Sequence, residues 1–112
     1  MKESQSFKHL NTDQIKNLME CMAVCKSCAK MCIDEGHQKT AISCIDCADI
    51  CDLALKFSSC GSEFKDQALE LCGQVCKKCA AECDKMQVQH CKECAVICKE
   101  CSETCARSPA KS

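Results

Sequence analysis

From residue 12 to about residue 106, small and apolar side chains recur at alternating intervals of three and four, the rhythm that turns one face of each helix toward its neighbours. In four segments the recurring residue is cysteine: positions 21, 25, 28 and 32, then 44, 47 and 51, then 72, 76, 79 and 83, then 91, 94, 98, 101 and 105. At about 100° per residue the first three clusters each span an arc of about 60° and the fourth about 80°. Each cluster therefore occupies a single helix face. Ala, Lys, Glu and Leu fill the positions between, as helix propensity favours, and β-branched runs are missing.

The interruptions between clusters set the element bounds. Asn11 or Thr12 can cap a first helix running to about Glu35, where Gly36 stops it. Thr40, or His37 slightly earlier, opens a second helix ending near Ser58. After "SSCGSE", Ser62 can cap a third helix to about Lys85, and "MQVQH" turns into a fourth that ends before Ser108 and Pro109. Short connections make successive helices antiparallel neighbours. The expected architecture is all-α, an up-down-up-down antiparallel four-helix bundle with a cysteine-lined core. It forms a single domain over 1–112, with a short N-terminal extension over 1–11 and a C-terminal tail over 107–112.

Composition sharpens this picture. Seventeen cysteines in 112 residues exceed the density that marks a disulfide scaffold in a short secreted chain, so the compartment decides their meaning. The first residues show neither an apolar h-region nor a small-residue cleavage site, and no run of about 18 apolar residues occurs, which leads us to expect a soluble cytoplasmic protein with no membrane partner. In a reducing cytosol dense cysteines are metal ligands or redox groups rather than staples, and an odd count leaves at least one without an intramolecular partner. A formal charge of -1 with both signs interspersed, and no Trp or Tyr to stack on bases, argues against nucleic acid.

Leu and Ile fill a bundle core better than Cys and carry no oxidation hazard, so sixteen inward thiols need a chemical reason. Neutral thiols behave as small hydrophobes and let the metal-free chain fold. Sixteen buried thiolates would not be tolerated, so a metal must displace the protons as it enters. Thiolate-only sites select Cu(I), zinc or iron–sulfur clusters. Iron–sulfur motifs usually gather their cysteines on loops at other spacings. Zinc could take four thiolates from C-x2-C pairs on two facing helices. Cu(I) accepts two or three soft ligands, which thiols three or four positions apart can supply from one helix. A thiol redox protein would need one activated thiol at a loop or helix N-terminus, often in a βαβ context, and no nucleophile and base suggest an enzyme. A ladder that loads many Cu(I) ions leads; a multi-zinc thiolate bundle serving as a structural or interaction module, or a thiol redox protein, are the alternatives.

The C-x3-C-x2-C-x3-C units of the first and third helices, the C-x2-C-x3-C of the second and "HCKECAVICKECSETC" of the fourth resemble the bacterial copper storage proteins over about residues 12–106. The resemblance implies many Cu(I) ions per chain inside the bundle, assembly into homotetramers and, given the missing export signal, the cytosolic branch of the family. It carries the ligand ladder onto Cys21, Cys25, Cys28, Cys32, Cys44, Cys47, Cys51, Cys72, Cys76, Cys79, Cys83, Cys91, Cys94, Cys98, Cys101 and Cys105. Cys60 departs from the ladder. On a continued second helix it would point about 160° away from Cys44, as either a loop ligand or a bystander.

The first and third connections share one end of such a bundle, which brings His37, Met86 and His90 together beside Cys32, Cys44, Cys83 and Cys91. Imidazole and thioether both suit copper, so His37 and His90 are candidate ligands, Met86 a further one, and this end the expected entrance. Met19, Met22 and Met31 are expected to fill core gaps. Leu18, Leu55 and Leu69 should close the opposite end. Antiparallel layering places Cys28, Cys47, Cys79 and Cys94 at one level and Cys25, Cys51, Cys76 and Cys98 at the next.

Overall fold

The computed structural model describes residues 7–106. It contains α1 (Thr12–Asp34), α2 (Gln38–Ser59), α3 (Lys65–Asp84) and α4 (Gln89–Ala106). The expected tail over 107–112, with the stop at Ser108 and Pro109, and the first six residues of the extension lie outside the described residues. Each helix packs on the next and α4 returns against α1, closing a ring whose loosest seam is α1–α4. Diagonal helices reach one another across the axis through sulfur: Cys21 lies 4.0 Å from Cys76, and Cys47 lies 3.9 Å from Cys98.

Local chemistry explains the helix ends. The Asn11 side chain accepts the Gln14 N–H at 3.1 Å, so Asn11 rather than Thr12 caps α1. At the other end Gly36 takes φ +84°, while the N–H groups of His37 and Gly36 return to the carbonyls of Cys32 and Ile33. This is a Schellman closure, and α2 repeats it at Gly61, φ +64°, with Ser62 bonded back to Phe57. His37, not Thr40, stands at the N-cap of α2, without a side-chain capping bond. Ser62 does not cap α3. Its Oγ accepts the Phe64 N–H and its carbonyl the Lys65 N–H, a tight turn that delays the helix to Lys65.

All sixteen ladder cysteines are buried, none more than 4% exposed, and they make up most of the core. Their level differs from the expected one by a turn. Cys28 groups with Cys44, Cys83 and Cys94, and Cys21 with Cys51, Cys76 and Cys101, while Cys25 lies with Cys47 and Cys98 in one group and with Cys79 in another. Facing cysteines of α1 and α2 are equidistant in sequence from Gly36. The Schellman closure leaves only residues 35–37 between the helices, and this shifts α2, with α3, one turn against α1 and α4.

Leu18 and Leu69 close the far end as expected, but Ala54 takes the fully buried position on α2 and Leu55 is half-buried beside it. Met19 and Met31 are exposed rather than core fillers, because cysteines hold the inward positions; Met31, one residue before Cys32, is rotated from it by about 100°. Met22 is half-buried against the core.

Candidate metal centre

Facing helices deliver the thiols to one another at close range. Cys47 and Cys76 are 3.3 Å apart, Cys25 and Cys98 3.4 Å, Cys44 and Cys83 3.6 Å, Cys51 and Cys72 3.7 Å, and Cys32 and Cys91 3.7 Å. Several sets of four sulfurs lie mutually within 4.8 Å: Cys21, Cys51, Cys76, Cys101; Cys21, Cys25, Cys47, Cys98; Cys25, Cys79, Cys94, Cys98; and Cys28, Cys44, Cys83, Cys94. These sets interlock. Cys21, Cys25, Cys28, Cys94 and Cys98 each belong to two sets, counting the one that His90 completes, so the sulfurs form a continuous file rather than isolated cages.

The thiols titrate as a network. Hydrogen bonds with Cys21, Cys44, Cys47 and Cys79, together with burial, hold Cys25 above its ordinary value. Hydrogen bonds with Cys101 and Cys72, then burial, do the same for Cys105. Burial pushes Cys32 up to about 12. Acceptors in the network move the other way: hydrogen bonds from Cys25, Cys28 and Cys44 pull Cys94 down to about 6. Low dielectric favours S–H, so a soft cation that replaces protons removes the desolvation cost of the thiolates it binds.

At the end formed by the first and third connections, Cys28, Cys32, His90 and Cys91 also lie within 4.8 Å of one another. The His90 Nδ1 is 3.2 Å from the Cys28 sulfur and 3.7 Å from that of Cys91. Its Nε2 sits 3.0 and 3.2 Å from the two Glu35 oxygens. With Nε2–H donated to the carboxylate, Nδ1 turns its lone pair to the sulfurs, the outer-shell arrangement common to metal-binding histidines. His37 shares this end, as expected, but its Nε2 approaches Glu35, at 3.7 Å, rather than a thiol. Met86 is half-buried against the core there.

Cys60 stands apart. It is the exposed C-cap residue of α2, and its Sγ donates to the Lys56 carbonyl at 2.9 Å. Sequence reasoning missed Glu35, which it treated only as the end of α1. The signal available was a carboxylate beside Gly36 and His37 at a connection rich in soft ligands.

Sulfur geometry of this kind suits either two- and three-coordinate Cu(I) or four-coordinate zinc. Family membership separates them: residues 7–110 match the family described as copper storage protein. The chain belongs to the copper storage protein family.

Its bundle superposes on the Cu(I)-bound copper storage protein BsCsp3 with a TM-score of 0.81 at 31% identity, covering 85% of this chain and 93% of that one. Apo-Csp3 from Bacillus subtilis matches with a TM-score of 0.80 at 36% identity, over 88% and 96% of the two chains. The uncharacterized cysteine-rich protein YhjQ of Bacillus subtilis strain 168 is 37% identical over 75 residues, 63% of this chain and 69% of YhjQ. The copper-bound and the metal-free protein thus match this chain to nearly the same degree.

Proposed function

We propose that this protein stores Cu(I) in a preformed bundle, holding many ions per chain on Cys21, Cys25, Cys28, Cys32, Cys44, Cys47, Cys51, Cys72, Cys76, Cys79, Cys83, Cys91, Cys94, Cys98, Cys101 and Cys105, with His90 completing the outermost group. The observation that carries this reading is the continuous file of interlocked thiol sets in a chain of the copper storage family. Each ion displaces the S–H protons of the two or three sulfurs that bind it and remains Cu(I), so storage needs no oxidant and no catalytic turnover.

Densely packed free thiols fit the reducing cytosol. Exposed Ile33, Ile42, Ile45, Leu53 and Leu71 supply apolar area for self-association, in keeping with a homotetramer. Anaerobic titration against a competing Cu(I) chelator tests the storage reading. Storage requires tight uptake well beyond the about four ions that sixteen thiols could bind as tetrahedral zinc sites. Saturation at about four ions, with zinc preferred over Cu(I), would establish the zinc bundle instead.

A further inference from the structure

On the α1–α4 seam, where the ring packs least closely, a groove of about 620 Å³ opens the side of the bundle. Cys28 and His90 line it, although the Cys28 residue is only 2% exposed and the His90 side chain 13%. Met31 lines the same groove and is 44% exposed. Met31 follows Cys28 by three residues on α1, so the two side chains are neighbours on consecutive turns, with Cβ atoms about 5 to 6 Å apart. Ser27 and two carboxylates, Glu20 and Glu93, complete the polar lining, and among the described residues no lysine or arginine lines it.

A thioether near the surface, a thiol and an imidazole nitrogen below it, and negative charge around them suit a soft monovalent cation moving inward. His90 presents Nδ1 to Cys28 because Glu35 holds its other nitrogen. His37, by contrast, approaches the same carboxylate, with Nε2 3.7 Å from the oxygen nearest His90, and no thiol. The donors thus converge on the side of the bundle rather than on its axis.

Building on the storage reading, we propose that this groove is a side port for Cu(I), in which Met31 receives the ion from a small thiol carrier and Cys28 with His90 passes it to Cys32, Cys91 and the ladder. The step is a ligand exchange without redox change. A bond from copper to the Met31 thioether forms while the carrier sulfur still holds the ion. The carrier bond then breaks as the bond to the Cys28 sulfur forms, the Cys28 proton leaves on the released carrier thiol, and the neutral Met31 sulfur lets go last. Glu35 is a positioning residue that keeps the His90 ring in its receiving orientation.

Stopped-flow transfer from a coloured Cu(I) chelator, into wild type and variants checked for helicity, tests the port. Met31→Leu keeps an apolar chain of similar size at an exposed position and removes the sulfur. It should slow uptake about tenfold, the scale on which a lost contact at a metal site is felt, and leave final copper per chain unchanged. Val96→Trp, at a groove-lining position 56% exposed, should slow uptake by filling the passage. His37→Ala should load at the wild-type rate. Wild-type rates in both Met31→Leu and Val96→Trp, or slowing confined to His37→Ala, would overturn the port while storage stands. A wild-type chain that fails to load would instead remove the storage reading itself.

Discussion

Cys25 and Cys98 are the pair whose loss should reveal how the store is built. Their sulfurs lie 3.4 Å apart and belong together to two four-sulfur sets, one completed by Cys21 and Cys47 and the other by Cys79 and Cys94. Replacing both by alanine leaves Cys21 and Cys47, still 3.7 Å apart, on one side and Cys79 and Cys94 on the other. At two or three thiolates per Cu(I), the missing sulfurs account for about one ion directly, and for about two if each depleted set gives up one. Removing each buried sulfur costs on the order of 1 kcal/mol, small beside the roughly 5–15 kcal/mol of a typical domain, so the variant should still fold. Anaerobic titration to saturation, with far-UV circular dichroism to confirm helicity, gives the copper content per folded chain. Cys60→Ser is the internal control and should lose no copper, since Cys60 is exposed and bonded to its own helix. Full loading of the double alanine variant, or an equal loss in Cys60→Ser, would refute the interlocked ladder.

The metal-free protein should lose stability in alkali. Cys32 is held at about 12 against an ordinary value near 9.0, so the neutral thiol's contribution is complete below about pH 9 and disappears as the pH rises through about 12. Between about pH 9 and 12, urea melts under anaerobic reducing conditions should show ΔG falling by about 1.4 kcal/mol per pH unit for each such thiol, and stability rising with pH within that window would contradict it. Glu35→Gln should leave copper capacity unchanged, weaken the outermost ion about tenfold and alter the nitrogen NMR shifts of His90; unchanged shifts would show that the carboxylate does not orient the ring. Gly36→Ala meets no atom within 4 Å, so its cost, about 1–2 kcal/mol in thermal or urea melts, should come from the left-handed backbone alone.

The helices and their inward faces were legible because each cysteine cluster keeps a strict helical interval, which leaves one face free to pack. The level at which facing helices meet was not. It depends on how tightly Gly36 closes the first hairpin, and a stop signal marks where a helix ends without fixing how few residues the return needs. Ser62 misled for a related reason: a serine before a helix can equally hold a turn, and here it does. At the mouth, the three soft ligands could be assigned to one end from topology. The same topology carries Glu35, 55 residues away in sequence, to the end that holds His90; what the sequence does not give is the hydrogen bond by which this helix-end carboxylate holds the imidazole. Met31 looked like a core residue from its neighbours, yet the thiols had already filled the inward arc.

Sulfurs common to adjacent sets give the bundle the character of a stack rather than a shelf of separate bins. An ion bound between Cys25 and Cys98 can exchange one sulfur for Cys94 or Cys21 while keeping the other, advancing along the axis in steps of about one helical turn, 5.4 Å, without meeting water. With Leu18, Leu69 and Ala54 buried across the far end, traffic would run to and from a single region. Copper that arrives last would be the first to leave, and the earliest ions, driven to the depth of Cys51, Cys72 and Cys105, would be released only after those above them had gone.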